Sequence, residues 1–370
     1  MYRILGRVEG QSKNVCRQGN GMPALKSSRP PKPNIRQVAH AAGVSLITAS
    51  RAISGRGSVA EATRERVLAV AQRLKYRPNR LASAVLGGRS RTVGVMVPIG
   101  SWFQAQIIRG IHDTLSEHAY LPIVHFHGNG PGALRDVDEL AFLHRLIEHR
   151  VDGLIFFPSD ESVTQNYLQE VWERGLPLVA VDRRLTRTNA DFSGTDDTAG
   201  GRMVAEYLLS LGHRRITQIT GESWVSTYVD RRRGFEEVLL GRNDVAYHCA
   251  ECAKSDCEAI VRDILTGPHR PTAIFAATDK MAIHVYAAAA AAGLRIGSDL
   301  TVVGFADLIE AQSLRPRLTT VRQDAVAIGA NAAKLLLDRL EDRVASNEPR
   351  AIRLMPEFVI RDSCATVSLT

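Results

Sequence analysis

The chain has 370 residues, of which 45% are hydrophobic and 23% are charged, values typical of globular proteins. At ~100 to 200 residues per domain this length predicts two or three domains, and the composition excludes wholesale disorder, collagen-like repetition and a long coiled coil. No apolar run of ~18 residues and no apolar secretory core is present, so we expect a cytoplasmic protein. The five cysteines are odd in number and scattered, which argues against a disulfide framework.

The basic charge is concentrated at one end. Residues 1–91 contain 18 Lys and Arg against three acidic residues, a net charge of +15, whereas the rest of the chain carries −7. A compact basic segment joined to a larger, mildly acidic one is the charge layout of a nucleic-acid-binding head on a separate body. A basic, solvated tail is the alternative, and charge alone does not choose between the two.

In chain order, the pattern begins with a basic extension at 1–33, rich in Gly, Ser and Pro, for which we predict disorder. We hypothesise that the native chain starts at Met22 and that residues 1–21 result from the assignment of the start site. Short helices follow at 35–41, 45–53, 61–75 and 79–86. From Thr92 onward, strands alternate with amphipathic helices, which predicts parallel sheets with helices on both faces. The strands are predicted at 93–97, 122–126, 153–157, 178–181, 215–219, 273–276 and 301–305, and the helices at 105–118, 135–149, 198–211, 256–265, 279–292 and 325–341.

The residues around Gly43 predict a helix-turn-helix. Gly43 supplies the turn, and Ala39, four residues earlier, is small enough for two helices to approach closely. Ser45 is a good N-cap for the second helix. An ordinary αα-hairpin is the alternative, which the basic surroundings disfavour.

The second helix of such a motif enters the major groove with its N-terminal half. Leu46, Ile47 and Arg51 are predicted to face the bases, and Thr48 and Ser50 the phosphates. An arginine binds guanine bidentately, while leucine and isoleucine offer only apolar contact to thymine methyls. The DNA-contacting set on this helix and its cap is Ser45, Leu46, Ile47, Thr48, Ser50 and Arg51.

These segments resemble a known family. Asn34-Ile-Arg-Gln-Val-Ala-His-Ala-Ala-Gly-Val-Ser-Leu-Ile-Thr-Ala-Ser-Arg51 and Tyr76-Arg-Pro-Asn79 are similar to the head of the lactose/galactose-repressor (LacI/GalR) family. The resemblance continues to about residue 362, in the family's order, through 88–98, 151–155, 181–184, 211–216, 279–282, 303–305 and 318–323.

The resemblance implies a small all-α head and a two-lobed α/β sensor, similar to periplasmic binding proteins, with two doubly wound parallel sheets. The implied domains are the helix-turn-helix at 34–77, a hinge helix and linker at 78–91, the sensor and dimerisation domain at 92–362, and a tail at 363–370. Lobe 1 is expected at about 92–188 plus 306–321, and lobe 2 at about 189–305 plus 322–362.

The hinge helix of this family inserts a leucine into the minor groove, a wedge that exchanges base stacking for a bend. Here Val85 occupies the family's leucine position and Leu86 follows it. The resemblance implies hinge contacts to DNA from Asn79, Arg80, Ala82, Val85 and Leu86. In the head, Ala60 replaces the serine that usually caps the third helix, at an expected cost of ~1 kcal/mol.

Effector-binding residues are expected directly after the strands, because ligands of open α/β sheets bind beyond the carboxyl ends of the strands. By this rule a loop after the first strand supplies Ser101, Trp102 and Phe103, whose aromatic rings suit a sugar face. Later strands supply Asp182, Arg183 and Asp197, whereas for Asp196 a surface or helix-capping role is expected. Arg231 matches the ligand-binding arginine of the family.

Two departures from the family pattern fall in this site. Thr278 replaces the asparagine before Asp279, and Ala306 replaces an aspartate that accepts sugar hydroxyls. With Arg183, Arg184 and Arg231 nearby, the lost carboxylate makes a sugar acid a second candidate beside a neutral carbohydrate. Thr278, Asp279 and Ala306 complete the predicted effector set.

No cofactor or metal is predicted. The Cys249-x2-Cys252-x4-Cys257 spacing fits ordinary cysteines better than a zinc site. G-x-G-x-x-G, P-loop and G-x-S-x-G motifs are missing from the sequence, so nothing in it indicates an enzyme.

We therefore predict a ligand-responsive repressor that binds a pseudo-palindromic operator as a homodimer, with a carbohydrate or sugar-acid effector between its lobes and no contact with membranes. One alternative is a solute-binding protein for transport, which needs an export signal. Others are a corepressor-dependent regulator of a non-sugar metabolite, and an enzyme built on the same lobes.

Overall fold

The computed structural model describes residues 33–55, 57–76, 89–98, 101–127, 135–158, 168–185, 190–252, 256–344, 346 and 348–367. The chain divides into two compact units, Met1–Asn79 and Arg80–Thr370. Residues 1–32 of the predicted basic extension and the predicted hinge helix at 79–86 lie outside the described residues. Within the described ranges, no helix is both long and apolar enough to span a bilayer.

The first unit contains a helix-turn-helix and a third helix, as predicted. Gly43 joins the first two helices with φ +64°, a left-handed conformation that glycine adopts without strain. Val38, Ala49 and Val67, one from each helix, are fully buried together. The helices are α1 (Ile35–Ala42), α2 (Leu46–Ser54) and α3 (Glu61–Arg73).

The N-termini of these helices are capped unequally. The Ser45 hydroxyl accepts a hydrogen bond from the Thr48 backbone N–H at 3.1 Å, so the predicted cap of α2 is confirmed. Asn34 and Gln37 form a reciprocal capping box at α1. Ala60 occupies the cap position of α3 and provides no side-chain hydrogen bond, as expected.

The second unit is built on two six-stranded sheets whose strands alternate with helices, which confirms the predicted fold class. The strands are β1 (Thr92–Pro98), β2 (Leu121–His127), β3 (Gly153–Phe156), β4 (Leu178–Val181), β5 (Asp191–Thr195), β6 (Arg215–Thr220), β7 (Ala246–Glu251), β8 (Ala273–Ala276), β9 (Thr301–Ala306), β10 (Thr319–Arg322), β11 (Ala351–Leu354) and β12 (Glu357–Val359). The helices are α4 (Trp102–Glu117), α5 (Arg135–Glu148), α6 (Asp197–Ser210), α7 (Ser226–Leu239), α8 (Cys257–Thr266), α9 (Asp279–Ala291), α10 (Ile309–Ser313) and α11 (Ala325–Leu340), with further helical residues at 168–173.

The strand orders define two lobes. Lobe 1 has the order β11-β5-β4-β3-β1-β2, and all of its strand pairs are parallel. Lobe 2 has the order β12-β10-β9-β8-β6-β7, in which β12 pairs antiparallel with β10 and the other pairs are parallel. The short edge strand β12 is thus an exception to the predicted all-parallel pattern.

The segments exchanged between the lobes differ from the expectation. The chain crosses after β5, after β10 and between β11 and β12, so lobe 1 takes residues up to 195 and again from 325 to 354. Residues 306–321, expected in lobe 1, lie in lobe 2, and the α11 and β11 region, expected in lobe 2, lies in lobe 1. The assignment from sequence was wrong because strand pairing between distant segments decides it.

Two glycines allow α6 and α7 to pack closely in lobe 2. A methyl group on Gly234 would lie 1.9 Å from the Thr198 carbonyl oxygen, and one on Gly201 would lie 2.0 Å from the Arg231 carbonyl oxygen. Only glycine permits this backbone contact. It holds Arg231 on α7 directly against the first turn of α6.

Candidate functional site

The N-terminal half of α2 presents a solvent-exposed face on the head. Leu46 and Ile47 are 43% and 65% exposed, although both are large and apolar. Ser50 and Arg51 lie one turn further along the same face, and both are exposed. Ala49 and Ala52 are buried on the opposite face. The side chains that were predicted to face the DNA bases are therefore exposed on one face of α2.

The remaining DNA-contacting predictions have different surroundings. The Thr48 hydroxyl lies 2.8 Å from the Ser45 hydroxyl, so the two share a hydrogen bond at the cap of α2. Asn79, Arg80, Ala82, Val85 and Leu86 lie outside the described residues.

In the sensor, a cavity of about 470 Å³ lies where the lobes meet beside the second and third crossovers. Trp102 and Phe103 border it from lobe 1, and Trp102 is 57% exposed. Both residues belong to the first turn of α4 and Ser101 is its N-cap residue, so the predicted loop is in part a helix. Ala306 and Gln323 border the cavity from lobe 2 and the second crossover.

Arg231 lies at the centre of a buried network behind this cavity. Its Nε donates to Asp197 Oδ1 at 2.7 Å, and its Nη1 donates to the Ala277 carbonyl at 2.6 Å. Its guanidinium carbon lies 3.7 Å from the centroid of the Phe305 ring. Nη2 is 3.5 Å from Gln323 Oε1, and this contact connects the network to the cavity.

The two predicted acidic residues next to Arg231 have raised pKa values. Burial raises the pKa of Asp197 to about 7 against the lowering effect of Arg231, and the charge of Asp182 raises it further. Burial likewise raises the pKa of Asp182, against the lowering effects of Arg183 and Arg231. The ionised forms of these two carboxyl groups are therefore less stable here than they would be in water.

Asp182 has an uncommon backbone conformation at the carboxyl end of β4. It follows β4 with φ +68°, an uncommon left-handed conformation for aspartate. Its backbone N–H donates to the Ser193 carbonyl at 2.9 Å, while among the described residues its carboxylate receives only electrostatic contact, from Arg183 and Arg231. The Asp182 carboxylate therefore lies at the carboxyl end of β4, near the guanidinium groups of Arg183 and Arg231.

Asp279 and Thr278 serve the internal structure. The Asp279 carboxylate is fully buried and accepts from the Thr320 hydroxyl at 2.6 Å and from the Leu308 backbone N–H at 2.7 Å. Burial raises its pKa to about 6. The Thr278 hydroxyl caps α9 by accepting from the Met281 backbone N–H. Of the predicted effector residues, Trp102, Phe103 and Ala306 line the cavity. Ser101, Asp182, Arg183, Asp197, Arg231, Thr278 and Asp279 are not among its described lining residues.

The residues that follow β9 are held in an unusual backbone conformation. Ala306 has φ +122° and Asp307 has φ +55°, both uncommon for residues other than glycine. The Asp307 carboxylate contacts Arg322 at 2.7 Å and Arg361 at 2.5 Å. These ion pairs hold the turn, and Ala306 faces the cavity without a polar group.

Sequence reasoning missed three contributors to the site. Gln323 borders the cavity, contacts Arg231 and donates from Nε2 to the Thr195 hydroxyl at 2.7 Å. Tyr228 lies within electrostatic reach of Asp182. Gln323 is the last residue of the 318–323 motif that carries the family resemblance, and this motif was the sequence signal that could have indicated it. No sequence signal indicated Thr195 or Tyr228.

No group of three metal-ligating side chains is found among the described residues. Cys252 and Cys257 are buried in the apolar core of lobe 2, and Cys249 is partly exposed on β7.

Comparison with known proteins places the chain among bacterial regulators. Residues 34–79 match the bacterial regulatory proteins of the lacI family, and residues 205–364 match the periplasmic binding protein-like domain. The HTH-type transcriptional repressor PurR of Vibrio atlanticus (strain LGP32) is 30% identical over 344 residues, which cover 90% of this chain and 99% of PurR.

Two solved structures show the same likeness, and each comparison covers 90% of this chain and 99% of the other. The complex of the transcriptional regulator CelR with cellobiose is 28% identical, with a TM-score of 0.66. The lac repressor dimer bound to operator and the anti-inducer ONPF is 25% identical, with a TM-score of 0.74.

Proposed function

The chain belongs to the LacI family of bacterial regulatory proteins and is a ligand-responsive DNA-binding transcriptional regulator; from this premise we propose that its effector is a neutral carbohydrate. We further propose that it acts as a repressor and binds a pseudo-palindromic operator as a dimer. The lac repressor structure, a dimer on its operator, supports the second proposal.

Charge balance around the cavity is the observation that carries the choice of effector. Arg322 is the only cationic residue among the described residues that line the cavity, and it lies between Asp307 and Glu357 at 2.7 and 2.9 Å. Its charge is therefore already compensated. A sugar carboxylate would find no unpaired guanidinium there.

The network behind the cavity is balanced in the same way. Arg231 is paired with Asp197, and Arg184 with Asp230. Arg183 lies beside Asp182, whose pKa is raised. Adding another negative charge to these buried carboxylates is unfavourable, because like charges repel strongly where little water screens them.

A neutral sugar suits the groups that remain. Trp102 and Phe103 supply aromatic surface for the apolar face of a pyranose ring. Gln323 and Asp324 line the cavity and carry oxygen atoms that accept hydrogen bonds from sugar hydroxyls. The cellobiose bound to CelR supports this class of effector.

The proposed mechanism is linkage between the two sites. A carbohydrate that prefers one arrangement of the lobes changes the population of DNA-competent dimers, and operator DNA changes carbohydrate affinity by the same factor.

Binding of matched ligand pairs tests the effector class. Titration calorimetry of the full chain compares glucose with glucuronate, galactose with galacturonate, and cellobiose with cellobionate. We expect the neutral member of one pair to bind and its acid to bind more weakly. Trp102→Ala should weaken this binding, whereas Arg109→Ala, an exposed position on the same helix, should leave it unchanged. Tighter binding of the acid member contradicts the proposal.

Selection from a random duplex library at ~150 mM salt tests the operator, since lower salt inflates sequence-independent binding. We expect a consensus sequence with two-fold symmetry. Enrichment of a sequence without symmetry contradicts binding as a dimer. The absence of any enrichment, with and without the carbohydrate, contradicts sequence-specific operator binding.

A further inference from the structure

The three residues ahead of β1 are fastened to lobe 1 by contacts that lie outside the sheet. The pairing of β1 with β2 begins at Thr92, whose partner is Leu121. Residues 89–91 precede this pairing, and they are the first described residues after the DNA-binding unit. Strand pairing therefore does not account for the way in which residues 89–91 are held.

Asp152 is the centre of these contacts. Its Oδ1 accepts from the backbone N–H of Ser90 at 2.8 Å and from the Ser90 hydroxyl at 2.9 Å. Its Oδ2 accepts from the backbone N–H of Arg91 at 2.8 Å. Hydrogen bonds to an ionised acceptor are roughly twice as strong as those between neutral groups. Ser90 is only 1% exposed, so water competes little for the bonds that it makes.

The backbone of Arg91 is held in a strained conformation. Its φ of +54° lies in the left-handed region, which is uncommon for residues other than glycine. Its N–H donates to Asp152, its carbonyl accepts from the Leu121 N–H at 2.9 Å, and its Nη1 donates to the His118 carbonyl at 3.1 Å. Such strain persists only where the surrounding contacts over-determine the backbone, and it concentrates at functional positions.

These contacts lie at the end of lobe 1 opposite the effector cavity. Asp152 directly precedes β3 and Thr92 begins β1, so both lie at the amino ends of parallel strands. Trp102 and Phe103, which line the effector cavity, follow the carboxyl end of β1. The strand β1 therefore extends from the effector side of the lobe to the residues that Asp152 holds.

We propose that Asp152 is a positioning residue for operator binding, because it fixes the point at which lobe 1 holds the chain that leads to the DNA-binding unit. This role rests on the proposed function. In a dimer, one bound head sets the effective concentration of the second head at its half-site, and this concentration depends on how stiffly the head is attached. Binding to an operator therefore depends on the attachment at Ser90 and Arg91, whereas random DNA has no paired half-sites and depends on it much less.

Three variants of the full chain separate this role from a change of charge. Asp152→Ala removes the acceptor for all three hydrogen bonds, and Asp152→Asn keeps one acceptor oxygen. Asp342→Asn is the matched control. Asp342 also contacts the segment, through Arg89 at 3.3 Å, but its side chain is 90% exposed, and exposed ion pairs contribute little.

Hydrogen–deuterium exchange measures whether Asp152 holds the segment. The amides of Ser90 and Arg91 should exchange about tenfold faster in Asp152→Ala and at the wild-type rate in Asp342→Asn. The amides of β3 and β4 should keep their wild-type rates, which shows that lobe 1 remains folded. If Asp152→Ala unfolds the lobe, Asp152→Asn provides the comparison. Wild-type exchange at Ser90 and Arg91 in a folded Asp152 variant overturns the proposal.

Competition binding at ~150 mM salt then measures operator and random DNA, with the operator taken from the selection described above. Asp152→Ala should bind the operator about tenfold more weakly than wild type, Asp152→Asn should be intermediate, and affinity for random DNA should not change. A purely structural role would lower stability without changing the ratio of the two affinities, so an unchanged ratio overturns the proposal. A wild-type chain that prefers no operator contradicts the proposed function instead.

Discussion

Arg231 donates from Nε to Asp197 Oδ1 over 2.7 Å, and the two side chains are only 5% and 4% exposed. Asp197 begins α6, directly after the chain leaves lobe 1, and Arg231 lies on α7 of lobe 2. Asp197 lies at the first crossover, and Arg231 contacts Gln323, which lines the effector cavity. The pair therefore connects the crossover with the effector cavity. A change at either member affects both the lobe junction and the effector site.

Asp197→Asn is expected to flatten the pH dependence of stability. Burial raises the pKa of Asp197 to about 7 from 3.8, so between these values the folded protein binds more protons than the unfolded chain. The contribution of Asp197 to the free energy of unfolding is therefore largest below about pH 4. It decreases by about 4 kcal/mol as the pH rises from about 4 to about 7. Denaturant unfolding at several pH values from about 4.5 to 8 measures how the free energy of unfolding depends on pH.

Asp196→Asn is the matched control, because asparagine caps a helix as well as aspartate. Its unfolding curve should keep the wild-type slope. Parallel pH curves for wild type and Asp197→Asn would refute the assignment.

Gly234→Ala is expected to lower the free energy of unfolding by about 1 to 3 kcal/mol, because the new methyl group would lie 1.9 Å from the Thr198 carbonyl. The same change moves Arg231 and should weaken carbohydrate binding. Gly267→Ala is the control, since Gly267 has φ −73° and its nearest neighbour would be 3.2 Å from the added atom. Equal stability of the two variants contradicts the packing argument.

Ala60→Ser should stabilise the head by about 1 kcal/mol, because α3 has no side-chain hydrogen bond at its cap. Ser45→Ala removes an occupied cap and should change stability in the opposite direction. Thermal unfolding of the head in the full chain, followed by helical circular dichroism, measures both. A destabilising effect of Ala60→Ser would show that the cap position is not limiting.

Arg51→Ala is expected to cost about 1 to 3 kcal/mol of operator affinity while changing affinity for random DNA much less. Arg51 lies on the exposed face of α2, one turn beyond Ile47. Arg73→Ala, which removes an exposed arginine from the end of α3, is the control for general charge loss. Competition binding measures the ratio, and an unchanged discrimination between operator and random DNA would exclude base reading by Arg51.

Local patterns in the sequence were sufficient for much of this protein. The glycine turn and serine cap predicted the helix-turn-helix, and the alternation of apolar runs with amphipathic helices predicted the α/β sensor. These features depend on residues within a few positions of one another, where backbone geometry and side-chain periodicity determine the outcome. Strand ends are readable from sequence and indicated Asp182 and Asp197 as candidates, whereas the family resemblance indicated Arg231.

Tertiary structure alone decided which of those residues are available to a ligand. Asp279 follows a strand, as Asp182 does, yet it is satisfied by Thr320 and Leu308, which come from β10 and the chain after β9. Arg353 lies near Arg184 and Arg233, beside the first crossover, only because β11 returns to pair with β5 in lobe 1. Hydrogen bonds between separate elements and the pairing of β11 with β5, whose residues are more than 150 positions apart, have no local signature, so the roles of these residues and the division into lobes follow from the folded structure.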